Sequence, residues 1–445
     1  MKDSGNSFHA RHLKRALDYV MNPEKTQGGR LVGAINCQAD MAFEQMGGVL
    51  KLSYDISSAW NIIGDLNVTH FNAANPGPVN APRIDNDSHI TRGMGAIAIQ
   101  NRYKKSWGAI NAFFNWGRHR INDGYVQGGK PLDYRFNSKD RMAGISFYQN
   151  ATFFTGNLIT AGFDYQRFGG KAWNHFLNTD TDQPLVDKTI DDLAGYIDFR
   201  QDIGKTITLD AGVRFDHNSH TGNEWIPQGG LTLHLPRRTE LKAVVSKGFR
   251  NPTIREMYMF PPQNPNLQPE KVINYEIAFS QKFPQQGVSY GVNVFYLHGN
   301  NLIQTMRVSN GMLNVNTGEI DNFGIEAEIN WQITDSWKIS AQYSWLYMER
   351  PILASPEHKV STTVYYSKER WTASTDLQYV HGLYTSLDSH AREKFLLWNA
   401  RVNYRIYRFL RIFAKGENLL AQRYEINQGF PMPKATCMGG IDIQF

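Results

Sequence analysis

Apolar and polar residues alternate along most of the chain after about residue 47, and a period of two is the pattern of a β-strand. The stretch KTITLDAGVRFDHN, which begins at Lys205, shows the alternation clearly. Its apolar positions are Ile207, Leu209, Ala211, Val213 and Phe215. The same pattern runs through residues 323–334, 337–347 and 398–406. Each of these strands would have one polar face and one apolar face.

The pattern predicts about 19 strands between residue 47 and the C-terminus, several of them roughly 10 to 16 residues long. Strands of a compact soluble sandwich are shorter, commonly about 5–6 residues. A tilted strand needs about 9–11 residues to cross a bilayer. The lengths therefore favour strands that span a membrane.

The connections between these strands alternate between short and long. Short turns are predicted near Ser58, Lys105, Gly156, Gly204, Arg237, Gln285, Asp335, Glu369 and Phe409. Longer connections are predicted at 73–87, 122–140, 169–188, 251–269, 304–318 and 420–433. This asymmetry is typical of outer-membrane barrels. We therefore predict an all-β protein, an antiparallel transmembrane β-barrel whose apolar rows face lipid. A large soluble, aromatic-rich β binding protein with one buried face is the alternative.

The first 45 residues have a different pattern. An apolar stripe at helical spacing is formed by Leu13, Ala16, Leu17 and Val20. Pro23 ends this helix, because the residue before a proline avoids the α conformation. No apolar core of 7–15 residues follows the basic residues, so the segment does not read as a signal peptide. We predict a short, partly helical segment at 1–46 and the barrel at 47–445.

Composition narrows the function classes. The mean hydropathy is −0.46 and no run of 18 apolar residues occurs, which excludes a transmembrane helix. The net charge is +6 without a run of five or six basic residues, so no nucleic-acid partner is expected. The two cysteines, Cys37 and Cys437, lie in unrelated segments, which predicts neither a disulfide nor a cysteine metal site. The scattered histidines indicate no metal site, and no cofactor is predicted.

Aromatic residues make up 13% of the chain, and several stand near the predicted strand ends. They are Trp60, Phe71, Trp107, Trp345, Trp371 and Trp398. Aromatic girdles that anchor a barrel at the two lipid interfaces are the expected interpretation. Platforms on which sugars stack are the alternative.

Several stretches of the chain resemble the TonB-dependent outer-membrane receptors. They are SKGFRNPTIREMYMF at 246–260, NPNLQPEKVINYEIAF at 264–279, NTGEIDNFGIEAEINW at 316–331 and GENLLAQRYEINQGFPMPKAT at 416–436. The final MGGIDIQF, which ends in Phe445, looks like the signal by which the outer-membrane assembly machinery recognises its clients. The resemblance covers about residues 47–445.

This resemblance implies an outer-membrane barrel of about 22 strands that takes up a bulky, scarce solute. Such solutes include ferric siderophores, haem, cobalamin and oligosaccharides. Its partners would be outer-membrane lipid, the solute and the TonB protein, which contacts a box on an N-terminal plug domain. With about 19 strands predicted, three strands, the plug, the TonB box and the signal peptide are expected to be missing from this chain. No covalent chemistry is expected, so the protein should not be an enzyme.

A second resemblance concerns the front of the chain. The stretch HLKRALDYVMNPEKTQGGRLVGAINCQ, at 12–38, looks like the N-terminus of a relaxase, a DNA-nicking enzyme. The family's nucleophilic tyrosine matches Tyr19, but its histidine cluster has no counterpart before the strands begin. His9 and His12 are not that cluster. We therefore expect Tyr19 to be inactive, with a fused fragment of another gene as the simpler explanation.

The loop after Arg250 is the best candidate for contact with a solute. Its sequence offers Arg255, Glu256 and Tyr258 as substrate-binding residues. Arg250, Pro252 and Glu270 are better explained as residues that fix the loop to the barrel rim. Met257 and Met259 could be soft copper ligands, although apolar packing is the commoner role of methionine. No histidine lies between Phe249 and Pro269, which weakens a haem site.

Overall fold

The computed structural model describes residues 43–309 and 311–443, which form one antiparallel sheet of 19 strands. The first ten are β1 Phe43–Ser57, β2 Trp60–Ala74, β3 Arg83–Arg102, β4 Ser106–Val126, β5 Tyr134–Ala151, β6 Asn157–Phe176, β7 Thr181–Ile203, β8 Ile207–Asn218, β9 Gly222–Leu235 and β10 Thr239–Arg250. The others are β11 Glu270–Phe283, β12 Val288–Val308, β13 Gly311–Gln332, β14 Trp337–Met348, β15 His358–Lys368, β16 Trp371–Tyr384, β17 Arg392–Tyr407, β18 Leu410–Glu417 and β19 Thr436–Ile443. The helix α1, Ile254–Tyr258, lies between β10 and β11.

Each strand pairs with the next along the chain, from β1 through to β19. Opposite ends of the sheet also meet, because Val79 N, between β2 and β3, donates to Gly429 O, between β18 and β19, at 2.8 Å. The sheet therefore curls round on itself. Within the described ranges, no ladder joins β19 to β1.

All nine predicted short turns are found between the strands that the sequence placed on either side of them. The turn after β11 shows why a glycine is required there. Gly287 has φ +65°, and a Cβ added there would lie 2.5 Å from Gln332 O. Only glycine fits that left-handed position without strain. The prediction of a regular turn side is confirmed.

Two of the predicted long loops are instead continuous β-ribbons. In 169–188, β6 reaches Phe176 and β7 starts at Thr181; in 304–318, β12 reaches Val308 and β13 starts at Gly311. These strands are 20 to 23 residues long, more than a bilayer requires. Beyond the apolar belt both strand faces meet water, so apolar alternation fades while the backbone ladder continues. The loops at 251–269 and 420–433 are confirmed as non-strand connections.

The apolar face of the sheet has no second protein layer against it in the part of the chain that the structure describes. Leu209, Val213, Ile145, Ile197 and Leu377 all stand exposed on strands. Among the described residues, buried apolar side chains form two small clusters, both next to connections on the loop side. The opposite face carries charged and amide side chains, such as the ion-paired Asp164 and Arg214. This arrangement suits apolar residues outside and a polar lumen.

Aromatic side chains gather at the ends of strands near the short turns. Trp60, Trp107 and Trp371 each begin or nearly begin a strand. Trp60 Nε1, at the start of β2, donates at 2.8 Å to Tyr103 Oη in the short turn after β3. Trp345 lies eight residues beyond Trp337 in β14, roughly 20 Å higher for a strand tilted by about 40°. That height matches a second belt, as the girdle interpretation requires.

β1 begins at Phe43, four residues before the predicted start of the barrel segment at 47. Phe43 pairs with Ala73 and Met46 with His70. The predicted division at 46 and 47 stays a prediction, since residues 1–42 lie outside the described part of the chain. The described residues contain no helix of the length and hydropathy needed to cross a membrane.

Candidate functional site

The segment 251–269, which we call the mouth loop, is fixed at its start by a short capped helix. Thr253 Oγ1 accepts from Glu256 N at 3.2 Å, and a Glu256 carboxylate oxygen accepts from Thr253 N at 2.7 Å. This reciprocal pair is a capping box, which satisfies two backbone donors at the helix start. The sequence TIRE therefore accounts for the one-turn helix α1.

Arg250 joins the mouth loop to the barrel rim. Its guanidinium donates to both carboxylate oxygens of Glu256 at 3.0 Å and to Glu270 at 2.5 Å. The second oxygen of Glu270 accepts from Ile303 N in β12 at 2.8 Å. Pro252 is buried beside this group. The predicted structural role of Arg250 and Glu270 is thus confirmed, and that of Pro252 stays a prediction.

An apolar cluster draws the mouth loop toward the lumen. Met257 and Leu267 are each only 1% exposed and pack with Ile190 of β7. Phe168 of β6 and Ile303 of β12 pack against this core. Phe168 and Ile190 oppose each other on the lumen face, so the loop folds inward. The structure gives Met257 the packing role, which was the favoured alternative to a copper ligand.

Polar and aromatic contacts extend the mouth loop across the opening. Phe260 contacts Phe136 of β5, with ring centroids 6.1 Å apart. On the other side, Asn314 N of β13 donates to Pro262 O at 2.7 Å. The loop therefore touches strands from β5 to β13, although it connects β10 and β11. Such long-range contacts leave no pattern in the local sequence.

Tyr258 sits in a pocket made by residues that sequence reasoning missed. His220 comes from the turn between β8 and β9. Its Nε2 lies 2.9 Å from Pro265 O, and its Nδ1 lies 3.2 Å from Tyr258 Oη. Because a carbonyl oxygen only accepts, Nε2 of His220 donates to it. In the neutral imidazole Nδ1 then accepts from the tyrosine hydroxyl. Lys188 of β7 lies 4.8 Å above the Tyr258 ring. The sequence predicted no metal site from its scattered histidines, His220 among them, and gave no sign that His220 would contact the mouth loop.

The three predicted solute-binding residues have different surroundings. Arg255 is exposed, and its side chain has no hydrogen-bond or ion-pair partner within the described ranges. The Glu256 carboxylate is occupied by Arg250 and Thr253. Tyr258 is half-buried and bound to His220. Of the three, Arg255 offers the most free donors to a molecule in the mouth.

A charged lumen wall lies below the mouth loop. Arg214 of β8 donates to Asp164 at 2.5 Å and to Asp216 at 3.3 Å. Asn218, at the top of the same strand, donates to Asp192 and accepts from His220 N. This amide links the wall to the turn that carries His220. The described residues contain no group of three or more His, Cys, Asp or Glu side chains arranged to hold a metal ion.

The order of the mouth loop should depend on pH through Glu256. Burial alone would raise the pKa of this carboxyl, but hydrogen bonds from Arg250 and Thr253 outweigh burial and lower the pKa below its ordinary value of 4.5. A lowered folded pKa gives stability that is complete above pH 4.5 and is lost as pH falls through the folded value. Hydrogen-exchange protection of residues 254–258, corrected for intrinsic rates, should fall as pH decreases from 5 toward 3. In Glu256→Gln the protection should be lower at pH 7 and nearly independent of pH.

Tyr19 and Phe445 lie outside the described residues, so the relaxase-like tyrosine and the terminal aromatic stay predictions.

A lipid-facing antiparallel sheet with a polar lumen and an inward-folded mouth loop defines an outer-membrane receptor barrel. Residues 47–419 match the family described as TonB dependent receptor-like, beta-barrel. The chain belongs to this family. Its members are outer-membrane transporters and not enzymes, which confirms the predicted location and class.

Two relatives from Vibrio cholerae illustrate the similarity. An iron-regulated outer membrane virulence protein is 24% identical over 292 residues, which are 58% of this chain and 43% of the relative. The vitamin B12 transporter BtuB is 26% identical over 251 residues, which are 53% of this chain and 40% of the relative. The chain thus spans less than half the length of these relatives.

Solved structures agree on the fold. The siderophore receptor PirA from Acinetobacter baumannii superposes with a TM-score of 0.75 at 12% identity, covering 92% of this chain and 72% of the receptor. A ferric enterobactin receptor variant from Pseudomonas aeruginosa gives 0.76 at 12%, with 96% and 73% covered. The copper transporter OprC gives 0.76 at 14%, with 91% and 72% covered. At such identities the likeness shows the fold alone.

Proposed function

We propose that this barrel takes up a bulky, scarce solute such as a ferric siderophore, and that the mouth loop supplies part of the binding site. The observation that carries the proposal is the inward fold of residues 251–269 over a polar lumen, with the Arg255 guanidinium left without an internal partner. If the mouth loop served only to close the barrel rim, an Arg255 guanidinium without a partner would contribute nothing to its stability.

The chemistry of the loop favours an oxygen-rich, anionic solute. A guanidinium offers five donors in a planar fork that matches carboxylate and similar oxygen pairs. Tyr258 adds an aromatic face beside Lys188. Glu256 acts as a positioning residue in this proposal, because its carboxylate holds Arg250 and α1.

The proposed partners follow from the family. They are the TonB protein as the energy source, the outer-membrane assembly machinery through the C-terminal strand, outer-membrane lipid and the solute. One relative is named a vitamin B12 transporter, which supports a bulky solute for this chain as well. A cobalamin or an oligosaccharide remains within the same proposal.

Binding to the purified full chain in detergent tests the proposal. Intrinsic tryptophan fluorescence would be titrated with a panel of ferric siderophores, cyanocobalamin and maltooligosaccharides. We expect saturable binding of at least one iron chelate. Arg255→Ala should weaken it by about 10- to 100-fold, the usual worth of a charged hydrogen bond.

Arg408→Ala is the matched control, since Arg408 is exposed in the turn between β17 and β18, far from the mouth. It should leave affinity unchanged. Folded protein that binds no member of the panel would overturn the proposed uptake role. Binding that is insensitive to both substitutions would remove the mouth loop from the site.

A further inference from the structure

A group of basic side chains lies together on the outer face of the barrel, away from the lumen. Its members are Arg118 and Arg120 of β4, Lys139 and Arg141 of β5, and Lys171 of β6, and we call them the outer basic patch. All five are exposed. They are 53 residues apart at most, and no two are adjacent in sequence.

The strand register places these residues on one face. Arg118 pairs with Lys139, and Lys139 pairs with Lys171, so three cations form a row across three strands. Phe114 and Ile145 stand lower on the same face and are exposed. The β4–β5 and β5–β6 ladders contain no register shift, so the patch faces outward as these apolar residues do.

The height of the patch corresponds to the outer lipid headgroups. Arg118 lies eleven residues beyond Trp107, which marks the turn-side girdle. At about 3.3 Å per residue and a tilt of about 40°, this is roughly 28 Å. The apolar band of such barrels is about 25 Å tall. Arg118 and the residues in its cross-strand row, Lys139 and Lys171, therefore stand just above the apolar band, on the side of the long loops. Arg120 stands higher, and Arg141, which pairs with Trp116, stands at the upper edge of the band.

The protein itself neutralises little of this charge. Within the described parts of the chain, none of the five side chains makes an ion pair, and Lys139 and Lys171 only approach the Trp173 ring, at 5.8 and 5.9 Å. Asp140 points to the lumen, where Arg92 and His119 bind it. Asp191 binds the Tyr165 hydroxyl and lies 3.9 Å from Arg167. Two further carboxylates lie near the patch on this face among the described residues: Asp187, opposite Lys171, and Asp87, two residues from the His89 that opposes Arg120.

The patch surrounds a surface recess of about 450 Å³. Trp116, Arg118, Lys139, Arg141 and Lys171 contribute to its lining. Gly169 stands between Arg141 and Thr189 in one cross-strand row and places no side chain in the space. Four cations therefore line the recess, together with Asp140 and Asp187.

We propose that the outer basic patch binds a multiply phosphorylated lipid headgroup of the outer leaflet. Arginine and lysine bind phosphate oxygens through charge-assisted hydrogen bonds, and several phosphates on one headgroup can engage several cations together. The tryptophans at 116 and 173 suit the boundary between acyl chains and headgroups. A protein partner would more often present separate carboxylates, and the position at the bilayer surface favours lipid.

The test uses the full chain in detergent micelles, with diphosphorylated lipid A titrated as the probe and bound lipid counted by native mass spectrometry. The patch variant is Arg118→Gln, Arg141→Gln and Lys171→Gln together. The control carries the same change of charge on the side of the short turns, as Lys104→Gln and Lys105→Gln in the turn after β3 and Lys368→Gln at the end of β15. We expect the patch variant to bind at least tenfold more weakly and the control to bind as the unmodified chain does.

Lipid A stripped of both phosphates should also bind at least tenfold more weakly. Equal binding by the patch variant, or equal binding of the dephosphorylated lipid, would overturn the proposal. Loss of a co-purifying outer-membrane protein with lipid binding unchanged would overturn it in favour of a protein partner. Heat-dependent mobility on gels verifies that each variant folds. If the triple variant does not fold, Arg118→Lys is tested in its place and should retain most of the affinity for lipid A.

Discussion

Replacing Met257 by alanine should release the mouth loop from the barrel. Met257 is 1% exposed and packs against Leu267 and Ile190. Truncating a buried methionine to alanine costs about 2–5 kcal/mol, because apolar contact is lost and a cavity remains. A loss of about 2 kcal/mol raises the population of a locally open loop roughly 30-fold. Hydrogen-exchange protection of residues 254–268 should fall by at least that factor, while protection of β8 and β16 stays constant.

Met306→Ala provides the matched control for this result. Met306 lies in β12 and is 46% exposed, so its truncation removes little buried surface. Loop protection should then change less than twofold. Unaltered protection in Met257→Ala would show that the apolar cluster does not hold the loop.

An arginine in place of Leu377 should destabilise the barrel in a bilayer by about 2–4 kcal/mol, the cost of a lipid-facing arginine near the midplane. Leu377 is 44% exposed and lies six residues beyond the girdle residue Trp371 in β16. That distance is roughly 15 Å of height, near the middle of the apolar band. Urea titration of the protein folded into lipid vesicles measures the difference in unfolding free energy.

Gln378→Arg, one residue further along β16, is the control, because its side chain points to the opposite face. It should change the unfolding free energy by less than about 1 kcal/mol, since lumen substitutions meet water. Equal costs for the two arginines would contradict lipid as the solvent of the outward face. A larger cost for Gln378→Arg would reverse the assignment of the faces.

The sequence pattern predicted the barrel wall more accurately than the loops. The nine short turns were placed correctly because turn residues and the end of apolar alternation coincide there. The stretches 169–188 and 304–318 were predicted as loops, yet they continue as paired strands. Strands that rise above the lipid keep their hydrogen bonds but lose the apolar row. The pattern reports burial in lipid and not the length of the ladder.

The candidate site was only partly visible in the sequence. The rim contacts of Arg250 and Glu270 were predictable because both residues flank the same loop. His220 and Lys188 come from other hairpins and reach Tyr258 only because the mouth loop folds inward. That fold depends on the cluster of Met257, Leu267 and Ile190. Phe168, about 90 positions before Met257 in the chain, packs against this cluster.

The amino-acid order alone determined the strand class, the side with short turns and the face of each strand that meets lipid, since these follow from local periodicity and turn chemistry. The tertiary structure alone decided which hairpins share the mouth and which cations share the outer basic patch. Both depend on the register between strands, through which residues that are distant in sequence become neighbours. A period of two determines which face of the sheet a side chain lies on. The pairing of strands across the sheet determines its height and its neighbouring residues.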